Sequence, residues 1–260
     1  MIRAYVINLD RDTVRAAAFT ARFAGAGLDI VRMPGVLGSA LPVCAREALS
    51  FSAGWATRSP GEIGCFLSHV ATWERVAAEP SPCFVFEDDA APSGTARWGQ
   101  VTLPDEADLV FVNDRMCGTA PPDHALECRP IMQTVARVNG GGNVGADGYL
   151  LTPQGAAKLL GAVAIDGVFG NVDWRILRYS VVPADLAGAL AGSFAATVIA
   201  THHNLARPPA WGVVQAYALN VALVRVTGED GSSIEAVNGA RRFQHTAETV
   251  RVQLSRAQGC

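Results

Sequence analysis

An α/β fold with a central, mostly parallel sheet flanked by helices is predicted by three observations. Ala4-Tyr5-Val6-Ile7-Asn8-Leu9, a helical stretch from about Thr13 to Ala24, and Ile30-Val31-Arg32-Met33 make a β-α-β opening, which favours parallel pairing with ligands at the carboxyl ends of the strands. Two further apolar runs, Cys83-Phe84-Val85-Phe86 and Leu109-Val110-Phe111-Val112, each stop at polar residues, as buried strands do on reaching a sheet edge. Two later helices carry explicit start signals. With 260 residues, half of them hydrophobic, the chain can bury a sizeable core as one continuous unit.

In the opening helix Phe19 and Phe23 stand one turn apart, the spacing of a core-facing stripe. In Ser59-Pro60-Gly61-Glu62, Ser59 is placed as N-cap, Pro60 at the first helical position and Glu62 as the closing residue of a capping box. Along that helix Ile63, Phe66, Leu67, Val70 and Ala77 form the predicted core stripe, while Cys65, Ser68, His69 and Thr72 fall on the polar side. His69 reads equally as a structural histidine or as a ligand contact. Residues 118–130 read as loop. The glycine-rich stretch from Asn139 to Gly148, including Asn143 and Asp147, precedes Tyr149-Leu150-Leu151; a dinucleotide fingerprint needs the strand first, so no Rossmann cofactor site is expected. A loop over an active site and an ordinary connection both fit it. Thr152-Pro153 repeats the cap-plus-proline device for a helix from Gln154 to Leu160. Ala195 to Ala200 reads as a strand running into His202 and His203. Residues from about Arg207 onward carry no recognisable chemistry, so a domain over 1–205 and an extension over 206–260 packed on it are expected.

The chemistry concentrates at Glu87-Asp88-Asp89. Consecutive carboxylates at a strand end repel one another unless a cation sits there, and hard oxygen ligands suit Mg²⁺ or Mn²⁺. In an extended segment Glu87 and Asp89 point to one side and Asp88 to the other. A solvated acidic turn is the competing reading. Paired histidines after a strand are a second candidate for metal coordination.

Composition excludes several classes. Net charge is −3 and Lys158 is the only lysine, so the clustered positive charge that nucleic-acid binding requires is missing. The six cysteines contain no Cys-x-x-Cys pair, so neither a disulfide framework nor a zinc knuckle is signalled. No apolar run approaches the ~20 residues of a membrane span, and no secretory signal order is seen at Met1. A cytoplasmic protein is expected, with peripheral membrane contact left open.

Val6-Ile7-Asn8-Leu9 with Arg11 and Arg15, Gly61-Glu62-Ile63-Gly64-Cys65-Phe66-Leu67-Ser68-His69 with Trp73, and Phe86-Glu87-Asp88-Asp89 form an ordered series. Gly145-Ala146-Asp147-Gly148-Tyr149-Leu150-Leu151 and Asp173-Trp174 continue it. This series resembles glycosyltransferase family 25, which includes bacterial lipopolysaccharide galactosyltransferases and is related to the collagen galactosyltransferases; Ala146 stands where the family usually has threonine. The resemblance implies a GT-A fold, a UDP-sugar donor with galactose favoured, a divalent cation (Mn²⁺ or Mg²⁺) and inversion at the anomeric carbon. It further implies metal ligation by Glu87 and Asp89 with His203 or His202, and donor contacts from Asn8, Leu9, Arg11, Arg15, Ser68, His69 and Asp88. Asp173 becomes the candidate base on the acceptor hydroxyl, a helix N-cap being its alternative role, with Trp174, Asn143 and Asp147 on the acceptor side. The acceptor is expected to be a lipopolysaccharide-type glycan, a small molecule or a peptide. A non-catalytic nucleotide-sugar or glycan-binding protein on the same fold is the alternative. A nucleotidyltransferase would want a basic glycine-rich loop near the N-terminus, which Asn8 to Arg15 does not resemble.

Overall fold

The computed structural model describes residues 1–46, 59–94, 97–138, 144–168, 170–201 and 210–227. The opening forms as β1 (Ile2–Asn8), α1 (Thr13–Arg22) and β2 (Leu28–Pro34). β1 lies between β2 and β3 (Cys83–Glu87), parallel to both. The main sheet then continues with β7 (Gly148–Leu151), β5 (Leu109–Phe111), β8 (Ala216–Leu219) and β6 (Cys128–Pro130). A two-stranded sheet pairs β4 (Ala90–Pro92) with β9 (Val224–Val226).

The α/β class and the helix-flanked sheet agree with the GT-A-like expectation, and five of the seven strands run in one sense, with two reversed strands making the sheet mixed. β7 runs antiparallel to both β3 and β5, and β6 antiparallel to β8, while β5 and β8 are parallel. A strand buried on both faces reads as an apolar run in either direction; connections, not periodicity, set its sense. Residues 118–130, read as loop, supply β6 at the sheet edge, and β8 comes from the segment set apart as an extension.

Alternation along β3 divides the core. Cys83 and Val85 face a cluster with Trp73, Tyr149 and Phe66. Phe84 and Phe86 face the opposite side, with Phe19, Phe23 and Trp98. The Phe19 and Phe23 rings stack at 4.2 Å, as their spacing predicts. The long helix α2 (Pro60–Ala77) begins on the expected capping box: Glu62 N–H donates to Ser59 Oγ at 3.2 Å and Ser59 N–H to Glu62 Oε2 at 2.8 Å. Thr152 Oγ1 accepts from Gly155 N–H at 2.9 Å and starts α4 (Pro153–Asp166), which packs on α2.

The polar side assigned to α2 is not solvated. Ser68, His69 and Thr72 are buried along with Phe66, Trp73 and Val76, because the helix is covered on several sides and its polar groups are satisfied internally. Ser68 Oγ donates to Gly64 O at 2.6 Å and accepts from Val36 N–H at 2.7 Å; Thr72 Oγ1 donates to Ser68 O at 2.8 Å. The segment 195–200, read as a strand, lies in a helix, α7 (Phe194–Thr201); short apolar runs do not distinguish the two by periodicity. The remaining helices are α3 (Ile131–Val138), α5 (Val172–Ser180) and α6 (Pro183–Ala187). Among the described residues no helix is long and apolar enough to cross a membrane.

Gly38 and Gly64 let the segment after β2 lie directly against α2. A Cβ on Gly64 would stand 2.4 Å from Val36 O, and one on Gly38 1.7 Å from Pro60 O. Neither neighbour is a side chain that can swing away. Gly64→Ala is therefore expected to lower unfolding stability by about 1–3 kcal/mol, the usual cost of overpacking, and to weaken any ligand held between this segment and α2. Denaturant unfolding checks the first effect; a variant as stable as the parent would show that the approach is not constrained.

Candidate active site

Topology brings the chemistry to one edge. β1, β3 and β5 run in the same sense and β7 in the opposite one, so the residues after β1, β3 and β5 meet those before β7. These are the β1–α1 turn, Glu87-Asp88-Asp89, Asn113 to Arg115, and Asp147. A cleft opens at this edge. Asn8, Leu9, Arg11 and Arg15 line one wall, Cys65, Ser68 and His69 of α2 another, and the three acids its floor, with Gly35 to Ser39 at the rim.

β3 ends at Glu87, and Asp88 and Asp89 stand in the turn that follows, so Asp89, expected on the Glu87 side, has its Oδ2 3.7 Å from Arg15 as well. Glu87 continues the Val85 face toward α2, where its Oε1 lies 3.3 Å from His69 Nε2. Asp88 continues the Phe86 face toward α1. Its Oδ2 accepts from Asn8 Nδ2 at 2.7 Å, its Oδ1 pairs with Arg15, and its carbonyl accepts from Arg22 at 2.7 Å. Asn8 is equally committed: its second amide proton goes to Asp12 O at 3.0 Å and its Oδ1 accepts from Arg32 Nε at 2.8 Å. Asp88 and Asn8 thus brace the β1–α1 turn, with their hydrogen-bonding capacity largely spent on the protein. Arg11, on the rim, is more than half exposed and only 3.7 Å from Asp12. Ser68 ties Val36 to α2 by the bonds given above.

Behind Glu87 runs a buried polar chain. His69 Nδ1 lies 2.9 Å from Tyr149 Oη, which accepts from Trp73 Nε1 at 2.8 Å. Burial keeps the Tyr149 hydroxyl far above its ordinary pKa, hence protonated. On the other side Arg115 pairs with Asp147, its Nε donating to Oδ1 at 3.0 Å. Gly145 makes room for it: a Cβ there would stand 2.0 Å from the guanidinium carbon. Asn113 fixes the same turn, Nδ2 donating to Gly145 O at 3.0 Å and Gly148 O at 3.1 Å.

Negative charge outweighs positive here. Burial works against the Glu87 carboxylate, but the His69 N–H, with Arg115 and Arg15 beyond, holds it below its ordinary pKa. Its neighbours are pushed the other way. Asp89 is raised by burial, then by Glu87 and Asp147. Asp147 rises to about 6 through burial and Glu87, against the pull of Arg115. Asp173 also rises to about 6, through burial, with Glu87 and Asp147 adding to it and the Trp174 N–H and Arg115 opposing. Asp89 Oδ1 and Asp147 Oδ2 are buried without a hydrogen-bond partner among the described residues. Orphaned carboxylate oxygens beside other acids fit a divalent cation. Cys65, His69 and Glu87 also bring ligand atoms within 4.8 Å of one another; without a cation, burial and the charge of Glu87 push the Cys65 thiol up.

The raised carboxyls bear on stability. A carboxyl whose folded pKa lies above its unfolded value binds more protons in the native state between the two, so stability falls as pH rises through that window. For Asp173 the window runs from its ordinary value of 3.8 to about 6. Asp173→Asn is therefore expected to raise the unfolding midpoint in EDTA more at pH 8 than at pH 4.5. An equal gain at both pH values would show that Asp173 is not desolvated.

Most expected site residues converge. Asp147 and Asp173 do not line the cleft with the others, yet both are coupled electrostatically to Glu87. Asp173 is not the N-cap of α5: Asn171 holds that position, and Asp173 stands in the first turn, accepting from Trp174 N–H at 2.8 Å. Trp174, expected as an aromatic wall, packs into the core at 6% exposure and offers little ring surface, because its position in the α5 turn points it inward. Asn143, His202 and His203 lie outside the described residues. Arg115, Asn113, Tyr149 and Trp73 were not singled out as site residues. The strand ending in Asn113-Asp114-Arg115 was the available signal for the first two; the others look like core aromatics.

Comparison with known proteins agrees with this geometry. A family model described as "Glycosyltransferase family 25 (LPS biosynthesis protein)" matches residues 1–168, which include both walls and the floor of the cleft. A protein named "Glycosyltransferase 25 family member", from Anopheles gambiae, is 37% identical over 94 residues, covering 33% of this chain. The chain spans only 16% of that relative's length. On the family match, which extends over more than half of its residues, this chain belongs to glycosyltransferase family 25.

Proposed function

We propose that the protein is a cation-dependent, inverting hexosyltransferase that moves a hexose, galactose favoured, from a UDP-sugar to an acceptor hydroxyl. The observation that carries this reading is the cleft in which the arginine-bearing β1–α1 turn faces Glu87, Asp88 and Asp89, beside buried carboxylate oxygens that lack hydrogen-bond partners among the described residues. Glu87 and Asp89 would hold the cation. When bound, a divalent ion neutralises charge on the departing diphosphate as a Lewis acid. Arg11 and Arg15 line the wall where a phosphate or uracil carbonyl suits guanidinium groups. Asn8, Asp88 and Ser68 contribute by holding that wall. Asp173 takes the proton of the acceptor hydroxyl, and its raised pKa leaves it a better base near neutral pH than an ordinary aspartate.

The family description names lipopolysaccharide biosynthesis, which favours a glycan acceptor over a small molecule or peptide. Thermal unfolding in the presence of Mn²⁺ and a panel of nucleotide sugars tests the donor, since a ligand that binds the native state raises the midpoint by mass action. UDP-galactose should stabilise the protein, and EDTA should remove the effect. Stabilisation without release of UDP in the presence of acceptor glycans would support a non-catalytic binding protein. No stabilisation by any UDP-sugar would remove the donor assignment.

A further inference from the structure

Trp73, Tyr149 and His69 are fully buried behind Glu87 and joined by hydrogen bonds. We propose that Tyr149 and Trp73 are positioning residues, which hold His69 with its proton on Nε2 so that this N–H orients the Glu87 carboxylate for the cation. The inference rests on the cation role proposed for Glu87.

The order of protons follows from donor capacity. Indole nitrogen only donates, so the 2.8 Å contact from Trp73 makes Tyr149 Oη an acceptor. The hydroxyl proton of Tyr149 then points to His69 Nδ1 at 2.9 Å, because Tyr149 has no other acceptor among the described residues. With Nδ1 accepting, the ring proton sits on Nε2 and donates to Glu87 Oε1 at 3.3 Å. The opposite tautomer would leave a buried hydroxyl unpaired and set a lone pair against a carboxylate, two penalties at once. Neither Trp73 nor Tyr149 lines the cleft, so their effect passes through His69. The same proton on Nε2 argues against Cys65, His69 and Glu87 acting together as a metal triad.

Two measurements on the full chain test this. Nitrogen-15 NMR of the imidazole reads the tautomer of His69, and Mn²⁺ titration followed by the paramagnetic signal of the free ion reads cation affinity, with and without UDP. Wild type should carry the His69 proton on Nε2. Tyr149→Phe should lose that preference and bind Mn²⁺ about 10–100-fold more weakly, the usual cost of removing a group that orients a ligand. His69→Gln, whose amide keeps a donor for Glu87, should retain more affinity than His69→Ala; equal affinity in the two overturns the orienting hydrogen bond. If Tyr149→Phe does not fold, the wild-type tautomer and the same Mn²⁺ titration on Trp73→Phe test the positioning role. A wild-type proton on Nδ1 overturns the positioning role. So does unchanged Mn²⁺ affinity in folded Tyr149→Phe when Glu87→Gln has lost it. If Glu87→Gln binds Mn²⁺ as tightly as wild type, or wild type binds none, the cation reading itself fails and the positioning role with it.

Discussion

Glu87→Gln is expected to reduce sugar transfer by about 10³-fold while leaving the protein folded. Glutamine keeps the shape of the side chain and an oxygen that can accept from His69 Nε2 at the present 3.3 Å contact, so the hydrogen bond behind it survives. What disappears is one negative charge among Asp89, Asp147 and Asp173, each of which is raised in part by Glu87. Removing it relaxes repulsion on those three but also forfeits the attraction to the His69 N–H, Arg115 and Arg15 that holds Glu87 below its ordinary pKa, so a modest loss of stability at neutral pH is expected. On the proposed function, transfer would suffer because a cation held by fewer charges would neutralise the departing diphosphate less well. A loss of about 4 kcal/mol of transition-state stabilisation corresponds to about 10³ in rate. The measurement is UDP release and product formation with Mn²⁺ and the donor found by thermal screening. More than a tenth of wild-type transfer in Glu87→Gln, or full wild-type activity in EDTA, would remove the cation from the mechanism.

Asp173→Asn should lower transfer by about 10²–10⁴-fold, the range of general base catalysis, while the UDP-sugar still raises the unfolding midpoint as in wild type. Its carboxyl is raised to about 6, chiefly by burial and further by Glu87 and Asp147, with the Trp174 N–H and Arg115 opposing. A base must be deprotonated to act, so wild-type transfer should rise with pH and level off above the pKa of Asp173, which lies at about 6 in the cation-free protein and lower once a cation offsets Glu87 and Asp147. The residual activity of Asp173→Asn should lack that step. Equal loss of donor binding and transfer would make Asp173 a structural residue of the α5 turn, and an unaltered pH profile would place the base elsewhere.

Local signals were legible wherever neighbours in sequence carry them. Ser59 and Thr152 announced two helix starts because a cap is a contact across three residues. The strand ending in Glu87 was legible for a similar reason, since an apolar run cut off by three acids has one plausible place at a sheet edge. Glu87 and Asp88 do separate, one toward α2 and His69, the other toward α1 and Arg15, but Asp89 stands in the turn beyond the strand and approaches Arg15 too, which alternation does not foresee.

What the sequence left open depends on contacts between distant segments. The antiparallel sense of β7 arises from how the chain returns between β3 and β5, which no apolar pattern encodes. Ser68 and His69 fell on the polar side of the helix, but helical periodicity records polarity and not what covers a helix; burial here is made tolerable by partners at Val36, Tyr149 and Glu87. Arg115 reaches Asp147 across 32 residues, and Tyr149 reaches Trp73 across 76. Residue order and composition therefore established the class of fold, the capped helices and the acids. The division of those acids into one held anionic, one bracing a turn and others with raised pKa came from burial and through-space charge, which exist only once the sheet edge has assembled.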